Sequence, residues 1–148
     1  MYTNLLIPTD GSRLSAKAVK SGIELAKSLG ARVTGVFVTE PYRPPVYGEA
    51  AVYLPELTPQ RYLQAVVAEA KQALAGIERQ AKKAGVDCAT VIVNGDQAWR
   101  GIIRTAKSKK CDLVVMASHG RSGLTGLLLG SQTSKVLTHS KVPVLVCR

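Results

Sequence analysis

Aromatic side chains are scarce in this chain of 148 residues, which has one Trp, one Phe and five Tyr. Proteins that hold single-stranded nucleic acid stack bases on rows of aromatics set among basic residues, and no such row is present. Only two histidines occur, His119 and His139, and the three cysteines, Cys88, Cys111 and Cys147, are widely spaced with no CxxC pair. Reduced structural thiols are therefore expected, rather than disulfides or metal ligands. No apolar run approaches the ~20 residues that cross a bilayer. The opening Met1-Tyr-Thr-Asn-Leu-Leu-Ile-Pro8 has neither the basic start nor the apolar length of a signal peptide. A cytoplasmic location with no membrane partner is the resulting expectation. Acidic residues are also few, ten against twenty Lys and Arg, for a net charge of +10. That excess favours an anionic partner. The basic residues are scattered, however, with Lys17, Lys20 and Lys27 in one segment, Lys71, Arg79, Lys82 and Lys83 in a second, and Lys107, Lys109 and Lys110 in a third. The scatter points to a solvated basic surface and away from nucleic-acid recognition.

What is present is an alternation of short apolar runs and helical periodicities. Leu5-Leu-Ile-Pro8 stops at the turn cluster Pro8-Thr-Asp-Gly11 and predicts a buried strand. Ser12 can cap the helix that follows, with Leu14, Ala18, Leu25 and Leu29 at helical spacing and Gly30 closing it. Val33 to Val38 predicts a second strand. A segment rich in Pro and Tyr, residues 40–58, then predicts an unusually long irregular loop, which in a small domain tends to be functional or disordered. Thr58-Pro59 starts a helix carrying Leu63, Val66, Val67, Ala70, Leu74, Ile77 and Ala81, closed by Gly85. Cys88 to Val93 predicts a third strand, and Asp96 a cap for a helix through Ile102, Ile103 and Ala106. A fourth strand over Leu113 to Met116, a helix over Ser131 to His139 and a last strand over Val142 to Cys147 complete the chain. This order predicts a single α/β domain over 1–148, with a parallel sheet and helices on both faces.

In such sheets ligands bind outside the carboxyl ends of the strands, where the winding reverses. With the first and fourth strands adjacent there, Pro8-Thr9-Asp10 faces the loop from Ala117 to Thr133 across one crevice. That loop holds Ala117-Ser-His-Gly120 and Gly130-Ser-Gln-Thr133, with nine residues between the two glycines. A glycine turn leading into a helix N-terminus presents bare N–H groups and the positive end of the helix dipole to an anion. Gly130 lets backbone approach a phosphate closely. Ser131 and Thr133 add hydroxyls that can bind phosphate oxygen, or simply cap the helix.

These motifs, Thr9-Asp-Gly-Ser12, Asp112 to Leu124, Leu127-Leu-Leu-Gly-Ser-Gln-Thr133 and His139-Ser-Lys-Val-Pro-Val-Leu-Val146, together resemble the universal stress protein family. The resemblance implies a Rossmann-like fold of the adenine nucleotide alpha hydrolase-like kind, with a five-stranded parallel sheet in the order 3-2-1-4-5. It also implies a homodimer made through the last strand, Val142 to Cys147. Family members that bind ATP carry G-x-x-G, nine residues, then G-(S/T). This sequence meets that pattern at Gly120, Gly130 and Ser131 but has Ala117 where the first Gly stands. It also has Gln132 where a small apolar residue is common.

Carried over to this sequence, the resemblance implies that Pro8, Thr9 and Asp10 line the adenosine site, with Asp10 accepting from a ribose hydroxyl or the adenine amine. Val38 would contact adenine, and Met116 and Ala117 would flank base and sugar. Gly120, Gly130, Ser131, Gln132 and Thr133 would surround the phosphates, with Mg²⁺ held through phosphate oxygens. Arg121 is either a charge partner there or, as the sequence favours, a solvent-facing loop arginine. No Walker-type G-x-x-x-x-G-K-[ST] is present, which excludes a P-loop hydrolase. The implied function is an ATP-binding stress-response or signalling module with, at most, weak ATP hydrolysis. The alternatives are a dimeric adaptor without nucleotide and a slow ATPase.

Overall fold

A computed structural model describes residues 1–43, 58–121 and 129–148. Most of the predicted 40–58 loop and the centre of the glycine loop lie outside the described residues. The elements run β1 (Asn4–Pro8), α1 (Arg13–Leu29), β2 (Arg32–Thr39), α2 (Pro59–Ala84), β3 (Cys88–Asn94), α3 (Ala98–Ser108), β4 (Leu113–Ala117), α4 (Ser131–His139) and β5 (Val144–Cys147). All pairings are parallel and the strand order is β3-β2-β1-β4-β5. Helices α1 and α2 cover one face and α3 and α4 the other.

Local chemistry sets the helix boundaries. The Ser12 side chain accepts from the Ser15 N–H at 3.1 Å, and Thr58 accepts from the Arg61 N–H at 3.2 Å just before Pro59. Both are hydroxyl N-caps that satisfy a donor no helical carbonyl can reach. Gly30 and Gly85 end α1 and α2 in the left-handed conformation.

The alternation of each central strand then divides the core. Leu5 and Ile7 of β1, Val33 and Phe37 of β2, and Val115 of β4 meet Val19, Ile23, Ala70, Leu74 and Ile77 on the α1/α2 side. Leu6, Val36, Val114 and Met116 meet Ile102, Ala106 and Val136 on the other. Leu5, Leu6 and Ile7 are all fully buried, so each contributes roughly 1.5–3 kcal/mol of apolar transfer. That double burial is why β1 reads as a continuous apolar run.

Three expectations need correction. Leu63 fits the helical stripe of α2 but is exposed, and the buried side of the helix begins at Ala70. Val142 and Pro143 precede β5, which begins at Val144. Asp96 does not cap α3: the cap position is Gln97, without a side-chain cap bond. The first N–H groups of α3 are instead satisfied from distant elements. Ala98 N–H donates to Glu40 Oε1 at 3.2 Å, and Trp99 N–H donates to Gln132 Oε1 at 3.0 Å.

Candidate functional site

Winding reverses between β1 and β4, which pair through Leu5 with Leu113 and Leu6 with Val114. The chain segments leaving their carboxyl ends therefore face each other, as the sequence predicted. Thr9 N–H donates to Val36 O at 2.9 Å, continuing the β1–β2 ladder one step past Pro8. Its hydroxyl pairs with Ser15 Oγ at 3.0 Å and accepts from the Gly11 N–H at 3.1 Å, which fixes the turn. Asp10 Oδ1 accepts from the Ser12 N–H at 2.9 Å, and Oδ2 from the Arg121 N–H at 2.8 Å. Burial opposes ionisation of Asp10. Hydrogen bonds from Ser12, Ser15 and the Arg121 N–H outweigh it and hold the carboxyl below its ordinary 3.8.

Gly120 is required by that contact, since a Cβ there would stand 2.6 Å from Asp10 Oδ2. Arg121 is solvent-facing, as the sequence favoured, but it is also engaged. Its Nε donates to the Asp10 carbonyl at 2.7 Å, and its guanidinium also binds Glu69 of α2, with Nη1 3.1 Å from Glu69 Oε2.

On the facing side, Gly130 N–H donates to Ser118 O at 2.8 Å, folding the end of the loop back onto its beginning. A Cβ on Gly130 would lie 3.2 Å from His119 Cα and 3.3 Å from Ser118 O. The glycine thus serves close backbone approach within the loop, at an ordinary φ of −68°. It caps α4 without a side chain, so the dipole end and first-turn N–H groups have no carboxylate or hydroxyl of their own cap. Ser131, the first helical residue, is exposed. Thr133 is turned inward, 3% exposed, and donates its hydroxyl to Ala117 O at 2.9 Å. It ties α4 to β4, so its oxygen faces the strand end and not open solvent.

Val38, at the end of β2, lies over α3, where a Cβ on Gly101 would stand 2.7 Å from its Cγ1. Met116 packs into the core beneath α3 and α4, so its thioether is a packing group. Ala117, 8% exposed, ends β4. Gln132 reaches to α3 as described. The structure therefore brings Pro8, Thr9, Asp10, Gly120 and Arg121 into one cluster and Ala117, Gly130 and Thr133 into a second beside it.

Sequence reasoning missed Glu69, Ser118 and the Glu40–Ala98 and Gln132–Trp99 contacts. Glu69 carried a signal: it interrupts the stripe Tyr62, Val66, Ala73 at helical spacing, where a carboxylate needs a partner. His119 Nδ1 lies 3.1 Å from Ser118 Oγ, and its Nε2 is buried with no partner among the described residues. The thiols are not candidate nucleophiles. Burial, with Glu78 and Asp87 nearby, pushes Cys88 up to about 11, and burial raises Cys111 and Cys147 as well.

A hollow of about 430 Å³ lies at the opposite, amino end of the strands, lined by Lys27, Gly30, Arg32, Gly85 and Asp87 among others. It lies where α1 and α2 end at Gly30 and Gly85.

A doubly wound parallel α/β domain, with strand order β3-β2-β1-β4-β5, is the class these features define. The universal stress protein family model matches residues 1–148, and the chain belongs to that family. It is similar to universal stress protein YxiE of Bacillus subtilis, 34% identical across all of both chains. It is likewise 34% identical to universal stress protein MJ0531 of Methanocaldococcus jannaschii over all of this chain and 83% of that one. Among solved structures, universal stress protein UspA from Lactobacillus plantarum superposes with a TM-score of 0.77 at 26% identity, covering 99% of this chain and 98% of that one. A universal stress protein in complex with cAMP superposes at 0.69 and 26% identity, covering 99% and 97%.

Proposed function

We propose that this chain is a nucleotide-binding stress-response module that holds an adenine nucleotide, ATP in the first instance, at the carboxyl ends of β1, β2 and β4. The observation that carries the reading is the pairing, across one switch point, of the Asp10 carboxylate with the side-chain-free N-terminus of α4 behind Gly130. Asp10 is ionised and retains acceptor capacity for a ribose hydroxyl or an amine. The α4 N-terminus and the exposed Ser131 hydroxyl suit the phosphates. Val38 and Ala117 offer apolar surface between the two. The cAMP-bound relative supports an adenine ligand. Mg²⁺ would be held through phosphate oxygens, as a hard cation bound mainly by its ligand. The residues bind and orient. Turnover, where it occurs, is slow, and the consequence of binding is a changed surface for partners in the cytoplasm.

A second reading rests on a different observation. The Thr133 hydroxyl and the Gln132 amide are already engaged inside the protein, and β5 is an edge strand with Leu145 43% exposed. An open edge pairs readily with a second copy about a two-fold axis, giving a dimeric adaptor that works without nucleotide. Both readings use the dimer. Titration with ATP separates them: adenine-selective binding supports the first, and its absence supports the adaptor.

A further inference from the structure

We propose that Glu69, on α2, is a positioning residue of the nucleotide site and acts through Arg121; this rests on the nucleotide reading above. Arg121 begins the stretch between the two glycines, and three groups hold it. Its N–H is bound by Asp10 Oδ2, its Nε by the Asp10 carbonyl at 2.7 Å, and its Nη atoms by both carboxylate oxygens of Glu69. Asp10 also takes Nη2 through its carbonyl, which leaves Nη1 with Glu69 as its acceptor among the described residues. Glu69 completes a two-pronged grip of the fork-to-fork kind, which fixes direction as well as distance. The guanidinium lies over Gly11, whose added Cβ would meet Arg121 Nη2 at 3.4 Å and Ala73 Cβ at 3.8 Å. Helix α2 thus seats Arg121 against the β1–α1 turn before any ligand arrives.

The charges point the same way. Asp10, Arg121 and Glu69 sum to one negative charge, so this side of the crevice does not compete for phosphate. With Arg121 committed to Glu69, the phosphates belong at α4. Glu69 acts by preorganising Gly120 and Arg121 next to Asp10, lowering the cost of ordering them on binding.

Both side chains of the ion pair are roughly half exposed, at 49% and 44%, so solvent limits the effect to about two- to fivefold in affinity. The test measures adenosine and ATP affinity by calorimetry for wild type, Glu69→Ala, Glu69→Gln, Arg121→Ala and the double alanine variant. It also measures hydrogen exchange at the Arg121 amide without ligand. Glu69→Ala should weaken adenosine and ATP equally and speed exchange at Arg121. The double variant should bind no more weakly than Arg121→Ala alone. Glu69→Gln, which keeps one acceptor oxygen, should recover part of the loss.

An effect that grows with the number of phosphates, or additive losses in the double variant, overturns positioning in favour of bulk charge. Unchanged affinity in Glu69→Ala, with wild type binding normally, also overturns it. If wild type binds neither ligand, the nucleotide reading fails, and amide exchange alone decides whether Glu69 seats Arg121.

Discussion

Asp10 and Arg121 are 111 positions apart in sequence, yet three hydrogen bonds join them, from the Arg121 N–H, Nε and Nη2. The Arg121 N–H donates to Asp10 Oδ2 at 2.8 Å, and Arg121 Nε donates to the Asp10 carbonyl at 2.7 Å. The first and fourth strand ends are thereby joined by polar contacts as well as by sheet pairing. Asp10→Ala leaves the Ser12 and Arg121 N–H groups without their acceptor. It should cost about 1–3 kcal/mol of stability, nearer the lower figure because the site is only half buried. Denaturant unfolding near neutral pH measures it, and no loss would remove Asp10 from its joining role.

The same bonds give a pH dependence with a definite sign. Asp10 has its folded value held below 3.8, burial being outweighed by the hydrogen bonds it accepts. Asp112 is also held below 3.8, against burial, by the Asn4 and Thr3 donors on its carboxylate. A depressed carboxyl contributes stability above its unfolded value, and that contribution disappears as pH falls through the folded one. Stability should drop as pH falls below about 4, and Asp10→Asn should flatten part of that drop. Identical pH profiles for Asp10→Asn and wild type would contradict the assignment.

Gln132 marks where local reading of the sequence stops. Its departure from the small apolar residue common in the family looked like a mark against nucleotide binding. In the structure its amide oxygen accepts from the Trp99 N–H, with Glu40 doing the same for Ala98. Gln132→Ala should cost about 0.5–2 kcal/mol, the scale of a lost N-cap, and leave nucleotide affinity unchanged. A rise in affinity would return Gln132 to the binding site.

That case generalises. The strands, the Ser12 and Thr58 caps, the glycine stops and the β1–β4 crevice were legible, because hydrophobic period, capping hydroxyls and turn residues act over a few positions. The cap of α3 was not, since its acceptors sit 58 and 33 positions from the groups they bind. Asp96, the nearest local candidate, stays exposed. The exposure of Arg121 was legible but its partners were not, for the same reason: Asp10 and Glu69 are brought near only by the packing of α1, α2 and the sheet.

Assembly is testable at a single residue. Leu145, half exposed on the edge strand β5, would be covered when β5 pairs with its copy. Light scattering should show a dimer for wild type and a monomer for Leu145→Lys, because a charge in a strand seam opposes edge pairing. A wild-type monomer at micromolar concentration contradicts the dimer.

The central claim is that the crevice between Asp10 and the α4 N-terminus binds an adenine nucleotide. Calorimetric titration of nucleotide-free protein with Mg-ATP, alongside ADP, GTP and cyclic AMP, tests it directly when wild type is compared with Gly120→Ala. A Cβ at position 120 would stand 2.6 Å from Asp10 Oδ2 and must part the loop from the carboxylate. The account predicts adenine-selective binding to wild type and a large loss in Gly120→Ala with the fold retained by circular dichroism. No binding to wild type, or equal affinity in the two proteins, would contradict it.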